Sequence, residues 1–322
     1  MGTPDTMKLI IQIPCLNEEE TLPIALAALP REVPGFDEVE WLIIDDGSTD
    51  RTVEVARENG VDHVLSLPYN QGLAKAFPAG IAECARLGAD VIVNTDADNQ
   101  YDASFIPALT RPIVDNEADM VIGARPINNI EHFSPIKKML QNLGSAAVRW
   151  ASSTDVKDAP SGFRAIRVPE ALQLNVYNNY TYTIETIIQA GHRGFRIRNV
   201  DVQVNGDLRP SRLVRSIPAY VRRNMLTILR FFVIYKPLRF FIMASLLPMV
   251  ISIGLFSRFI IYYFFDSGTG KIQSLIFASV IFFFSILLVA IGIVTDIIAI
   301  NRRLLEDLRY ETRLRNLEVE KE

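Results

Sequence analysis

Two carboxylates, two residues apart, end a run of apolar β-formers: VIVN is followed by Thr95, Asp96, Ala97, Asp98, Asn99, Gln100 and Tyr101. In an extended chain, residues two apart share a face, so Asp96, Asp98 and Gln100 can converge on one point. Carboxylates brought together without a counter-charge repel. Hard oxygen ligands at the end of a strand suit Mg2+ or Mn2+, which keep several waters and take substrate phosphates as further ligands. The competing reading is a surface turn that splays both acids into water. Strand context and the nearby Gln100 amide favour the metal, and the twelve-residue ligand spacing of an EF-hand is not present.

Three further clusters carry chemistry. Asp45-Asp46-Gly47-Ser48 closes the apolar run WLII. Ser48 or Asp50 suits the N-cap of a following helix, which leaves Asp45 and Asp46 to accept hydrogen bonds from a base N–H or a ribose hydroxyl. Asn70-Gln71-Gly72-Leu73-Ala74-Lys75 turns into a helix whose N-terminus can face an anion, though without the P-loop pattern. Asp158-Ala-Pro-Ser-Gly-Phe-Arg164 is an ordered loop entering a strand and a candidate second wall of a pocket.

The elements that must position these clusters alternate strand and helix. Strands are expected at Lys8–Pro14, Trp41–Ile44, His63–Leu67, Val91–Asn94 and Met120–Gly123. Helices are expected from Asn17 (NEEETLPIALAAL), over Arg51–Asn59 and over Leu73–Leu87. Such alternation predicts an α/β domain with a doubly wound, mostly parallel sheet. Ligands on such sheets gather at the carboxyl ends of the strands, and PCLNEE, DDGSTD, NQGLAK and DADNQ all fall there.

The character changes beyond about Phe231. Phe240–Ser257 and Ile272–Thr295 are uncharged stretches of 18 and 24 residues joined through the polar link DSGTGK. At about 1.5 Å per residue each can cross a hydrocarbon core of ~30 Å, which predicts a two-helix transmembrane hairpin. The net charge of −4 hides an asymmetry, because Gly206–Arg239 carries eight Lys or Arg against the single acid Asp207. SRLVRSIPAYVRRNMLTILRFF has apolar residues at helical spacing interleaved with arginines, as in an amphipathic helix lying in the membrane interface. The positive-inside tendency puts both ends in the cytoplasm, and MGTPDTMKLI has no secretory character. Cys15 and Cys84 follow no metal or disulfide spacing.

In this order, PCLNEEETLP, LIIDDGSTDRT, NQGLAKA, NTDADNQY, VIGAR and DAPSGFRA resemble the family 2 glycosyltransferases of GT-A fold. The hairpin narrows the resemblance to the polyprenyl-phosphate glycosyltransferases, among them dolichyl-phosphate mannose synthases. The resemblance implies a GT-A catalytic domain over 1–207, interfacial amphipathic helices over 208–238, two transmembrane helices over 239–300 and a cytoplasmic tail over 301–322. It implies inverting, metal-dependent transfer of a sugar from a UDP- or GDP-linked donor to a polyprenyl phosphate. Membrane lipids are then partners, nucleic acid is not, and a homo-oligomer assembled through the membrane helices stays open.

Residue by residue, the resemblance places Pro14, Asn17 and Glu18 beside the donor nucleoside and Asp45 on its base or ribose. Asp96 would contact the nucleotide near the metal, and Asp98 with Gln100 would hold Mg2+ or Mn2+. Arg125 and Arg164 would lie near the sugar or the lipid phosphate, and Arg209 and Arg212 would face phosphate at the membrane surface. Asp158 is the first candidate for a catalytic carboxylate, as base or as orienter of the sugar. Glu185, in YTYTIETIIQA, is the second, with a solvated helix acid as the alternative. Asn99, Tyr101 and Gln141 depart from the mannose synthases, so the motifs leave the donor open. Two alternatives remain: a membrane family 2 transferase acting on a lipid or polysaccharide hydroxyl, and a non-catalytic nucleotide-binding scaffold.

Overall fold

In the computed structural model, the described residues are 6–126, 144–146, 148–150, 152–177, 182–205, 226, 229–230, 232–265 and 272–321. By contact the chain divides into one unit of Met1–Ile228 with Leu308–Glu322 and a second of Leu229–Asp307.

The first unit is built on a seven-stranded sheet. Its strands are β1 (Lys8–Cys15), β2 (Glu38–Asp45), β3 (His63–Ser66), β4 (Val91–Asn94), β5 (Met120–Ala124), β6 (Arg164–Arg167) and β7 (Ile197–Asp201). The spatial order is β3-β2-β1-β4-β6-β5-β7. The pairs β1–β2, β1–β4, β2–β3 and β5–β7 are parallel, while β6 runs antiparallel to both β4 and β5. Strand-to-strand burial explains the apolar runs: Leu9, Ile11, Ile13, Ile43, Val91, Val93 and Val121 share one core with Leu22, Leu26, Ile106 and Leu109 from the helices. The expected mostly parallel, doubly wound sheet is therefore present. The strand expected after the loop Asp158–Arg164 is β6; what the motifs did not indicate is its reversed direction, which brings that loop to the same edge as the carboxyl ends of β1, β2, β4 and β5.

Helices α1 (Leu22–Ala28), α2 (Thr52–Glu58), α3 (Leu73–Arg86) and α4 (Ile106–Val114) connect the first five strands. Helix α1 starts five residues later than expected, and the reason is local. Asn17 adopts a left-handed backbone with φ 53°, its amide N–H donates to Ser48 Oγ at 3.0 Å, and the Glu18 N–H donates to Thr52 Oγ1 at 2.8 Å. These bonds tie the chain to the turn after β2 before a helix can begin. Two further helices, α5 (Val168–Ala171) and α6 (Thr183–His192), precede β7.

The second unit holds two helices long and apolar enough to cross a membrane, α7 (Pro237–Phe265) and the apolar part of α8 (Ile272–Lys321). The tail expected after residue 300 is helical, a continuation of α8. Along α8, Ala278, Ser285, Gly292, Ala299 and Glu306 recur every seventh residue and are buried, as a seam between two helices requires. Ser285 Oγ donates to Ser245 O and Ser252 Oγ to Ala278 O, each at 2.9 Å. Small residues let apolar helices approach closely, and hydroxyls bond across them. A Cβ on Gly292 would lie 2.9 Å from Phe241 Cβ. Gly292→Leu is therefore expected to overpack the seam, destabilising it by about 1–3 kcal/mol. A lowered midpoint for loss of helical circular dichroism in detergent checks this; an unchanged midpoint would show that the seam is not close-packed.

Candidate active site

The turn after β2 shows how two neighbouring acids divide the work. Asp45, 5% exposed, accepts the Ser48 N–H at 2.8 Å. Asp46 is spent on the neighbouring loop, accepting the Gln71 and Gly72 N–H groups at 2.7 and 2.8 Å. Gly47 makes this possible: its φ is 77°, and a Cβ there would sit 2.7 Å from Asn70 N. Asn17 Oδ1 accepts the Thr49 N–H at 2.8 Å, and Glu18 accepts the Thr21 hydroxyl at 2.6 Å. Pro14 pairs with Ile44 near the end of β1. The residues expected around a nucleoside are thus gathered at the ends of β1 and β2. There Asn17 and Glu18 hold turns in shape, a positioning role.

Asp96 and Asp98 follow β4 in a loop pinned from below. Asn99 takes φ 54°, the Gln100 N–H donates to Asp98 Oδ1 at 3.2 Å, and Asn205 donates from its backbone N–H to Gln100 O and from its side chain to Asn99 O, each at 2.9 Å. Both acids are half-buried rather than enclosed. The loop before β6 closes against them: a Cβ on Gly162 would lie 3.3 Å from both Asp96 carboxylate oxygens. Glycine here admits backbone where any side chain would crowd the acid.

Beneath this edge runs a buried polar chain that motif reading missed. Gln12 Nε2 donates to Asn94 Oδ1 at 2.9 Å. Asn94 Nδ2 donates to Gly162 O at 2.9 Å and to the Tyr182 hydroxyl at 2.8 Å. Tyr182 stacks on Phe77 with centroids 3.7 Å apart. Burial, reinforced by the charge of Asp96, pushes the Tyr182 phenol well above its ordinary range, so it stays neutral. A signal was available, because Gln12 and Asn94 are amides inside apolar strands and pair in register. Tyr101, noted only as a departure in the metal motif, completes the support. Its hydroxyl accepts the Gly162 N–H at 3.1 Å, and its ring stacks on Phe163 at 5.1 Å.

The opposite wall carries an enclosed ion pair. Arg125 Nε donates to Asp158 Oδ2 at 2.7 Å and Nη2 to Oδ1 at 3.1 Å, while the Arg125 N–H reaches Oδ2 at 3.2 Å. The side chains are 9% and 1% exposed. Asp158 is thus engaged as the bidentate partner of Arg125, which suits an orienter and not a proton acceptor facing a substrate.

Two candidates sit elsewhere than expected. Arg164 is 0% exposed, with Nε donating to Ser161 O at 2.8 Å, Nη1 to Thr186 Oγ1 at 2.7 Å, and Nη2 to Ala159 O and Thr183 O at 3.1 and 3.0 Å. Burial pushes its guanidinium pKa down. A guanidinium this enclosed cannot meet a lipid phosphate without unfolding the loop, so the phosphate-binding expectation is corrected to an architectural one. Glu185 is also 0% exposed and accepts the Tyr177 N–H at 3.0 Å; it stabilises a chain segment, and the solvated helix acid is excluded. Arg209, Arg212 and Gln141 lie outside the described residues, as does most of the expected interfacial helix.

Among the described residues no group of three or more His, Cys, Asp or Glu is disposed to hold a metal. Two half-buried carboxylates with a backbone glycine beside them still fit a hard cation whose remaining ligands come from a diphosphate and water. Cys15 and Cys84 are buried thiols whose pKa values burial pushes up, so neither supplies a nucleophile.

Residues 10–169 match the family model for glycosyl transferase family 2. The undecaprenyl-phosphate mannosyltransferase of Micrococcus luteus is 30% identical over 206 residues, covering 61% of this chain and 83% of the relative. The polyprenol monophosphomannose synthase of Mycolicibacterium smegmatis is 28% identical over 208 residues, covering 61% and 77%. Among solved structures, glucosyl-3-phosphoglycerate synthase from Mycobacterium tuberculosis, in complex with Mn2+, UDP and glucosyl-3-phosphoglycerate, aligns with TM-score 0.55 and 22% identity over 70% of this chain and 80% of its own. That likeness bears on the fold.

Proposed function

The chain belongs to glycosyl transferase family 2, and from that premise we propose that it transfers a sugar, with inversion, from a nucleotide-sugar to a polyprenyl phosphate at the cytoplasmic face of a membrane. The observation that carries the reading is the joining of an Asp96/Asp98 strand-end site to two helices of membrane-spanning length in one chain. The named activities of the bacterial relatives support it.

On this reading Asp96 and Asp98, with Gln100 beside them, would hold a divalent ion, which when bound would supply Lewis-acid stabilisation to a diphosphate leaving group. Asp45 meets the base or ribose, and the turns fixed by Asn17, Glu18 and Asp46 present it. An acceptor phosphate oxygen forms the new bond to the anomeric carbon as the bond to the diphosphate breaks, and the electron pair leaves on the β-phosphate oxygen. A phosphate monoester has its second pKa near ~6, so at neutral pH the nucleophile needs no proton removed. Positioning and electrostatics can then carry the acceleration. Arg125 is the available counter-charge for two anions brought together, its fork oriented by Asp158. The absence of a demand for a general base agrees with the enclosure of Asp158.

The test uses purified protein with Mn2+ or Mg2+, undecaprenyl phosphate and a panel of UDP- and GDP-sugars, with lipid product followed by mass spectrometry. One donor is expected to give a lipid-phosphate sugar, with a rate that falls below a pH of about 6 as the acceptor phosphate gains its proton. Product on a lipid or polymer hydroxyl and none on the phosphate would replace this reading with the hydroxyl transferase. Nucleotide binding with no transfer from any donor would favour the scaffold.

A further inference from the structure

We propose that Arg313, in the last turns of α8, is a positioning residue for the transfer site: it fixes the wall formed by residues 158–164 by way of the 172–177 segment and helix α6. The inference rests on the reading that Asp96 and Asp98 mark that site.

Arg313 belongs to the same compact unit as the sheet. Its Nη1 donates to Leu172 O at 2.6 Å and Leu174 O at 3.3 Å, and its Nη2 donates to Asn175 Oδ1 at 3.2 Å. These are groups of a short segment without regular structure, whose carbonyls would otherwise need water. The same segment is gripped from the other side by α6. Gln189 Oε1 accepts the Asn175 N–H at 2.8 Å, its Nε2 donates to Asn175 O, and Glu185 accepts the Tyr177 N–H at 3.0 Å. Glu185 and Gln189 are four apart and so lie on one face of the helix.

The other bonds of α6 lead to the site. Thr186 Oγ1 and Thr183 O receive Arg164, which in turn holds Ser161 O and Ala159 O. Ala159 and Ser161 flank Asp158, the partner of Arg125, on one side and Gly162, which presses on Asp96, on the other. Every residue of α6 from Thr183 to Ala190 is buried, so the helix has little room to shift when one side is released, and a closely packed element transmits strain. A guanidinium suits the position because its rigid fork can serve several oxygens at once. Burial pushes its pKa down, with Arg309 adding to the effect, and the bonds to oxygen offset the loss of water.

The test compares Arg313→Ala, Arg313→Lys and Arg315→Ala in the full chain, Arg315 being an exposed neighbour on the same helix. For Arg313→Ala, kcat is expected to fall about tenfold while KM for the nucleotide-sugar changes by less than about twofold. Arg313→Lys should recover part of the loss, and Arg315→Ala should match the parent. A second arm needs no substrate: amide hydrogen exchange in 158–164 should quicken in Arg313→Ala, with exchange in β1 and β2 unchanged. Unchanged kcat and unchanged exchange in 158–164 would overturn the proposal. So would exchange quickened equally throughout the sheet, the mark of global destabilisation. If the parent transfers no sugar, the transfer reading fails, while the exchange arm still decides whether Arg313 holds the wall.

Discussion

Asp98→Ala is expected to lower kcat for transfer by about a thousandfold or more, several kcal/mol of lost charge stabilisation at the leaving group, while leaving the folded protein nearly as stable as before. The asymmetry follows from where the side chain sits. Asp98 is half-buried in the loop after β4, and that loop is fixed independently by Asn205 at Asn99 O and Gln100 O. Removing this partly exposed carboxylate loses its bond from the Gln100 N–H, a change of about 1 kcal/mol. Asp96→Ala should behave differently, because Gly162 packs directly on that carboxylate and its loss opens space at the site edge. Steady-state rates at saturating Mn2+, with thermal melts of both variants, check this. A fall of less than about tenfold for Asp98→Ala would mean that the pair does not hold a catalytic cation.

The contrast between these two acids shows what the sequence makes legible. Residue type and strand-end position were sufficient to bring Asp45, Asp96 and Asp98 to one edge, because a parallel sheet has only one edge where its carboxyl ends emerge. The membrane-length helices were legible for a similar reason, since an uncharged stretch of that length has few other uses. Arg164 was misjudged because an arginine at the start of RAIR reads the same whether its guanidinium points to solvent or into a ring of carbonyls. Only the fold reveals that Ser161 O, Ala159 O and Thr183 O surround it. Glu185 was misjudged likewise, its partner being a backbone N–H eight residues earlier. The loop DAPSGF and the strand after it were legible, but the direction of β6 was not, because strand direction has no local signature. The buried amides Gln12 and Asn94 stood in plain sight inside apolar runs, and a polar residue in a fully buried strand must find a partner.

Asp158→Asn is the second variant with a large expected effect, and it distinguishes an orienting carboxylate from a base. The amide keeps the shape but removes the charge that faces Arg125, leaving a guanidinium 9% exposed without its bidentate counter-ion. Breaking one side of a buried pair destabilises by about 3–5 kcal/mol, so the thermal midpoint should fall steeply, and transfer should fall with it as Arg125 loses its orientation. Replacing both partners by apolar residues, Arg125→Met with Asp158→Leu, should restore much of the stability, because neither charge is then stranded. It should not restore transfer, because the counter-charge for the incoming phosphate is gone. The decisive quantity is the coupling in kcat/KM across Arg125→Ala, Asp158→Ala and the double variant. If Asp158 acts only through Arg125, the double variant is no slower than Arg125→Ala alone. If Asp158 takes a proton from the acceptor, the two losses multiply. Three hydrogen bonds from Arg125 to one enclosed carboxylate favour the first outcome, since both carboxylate oxygens are already turned to that arginine.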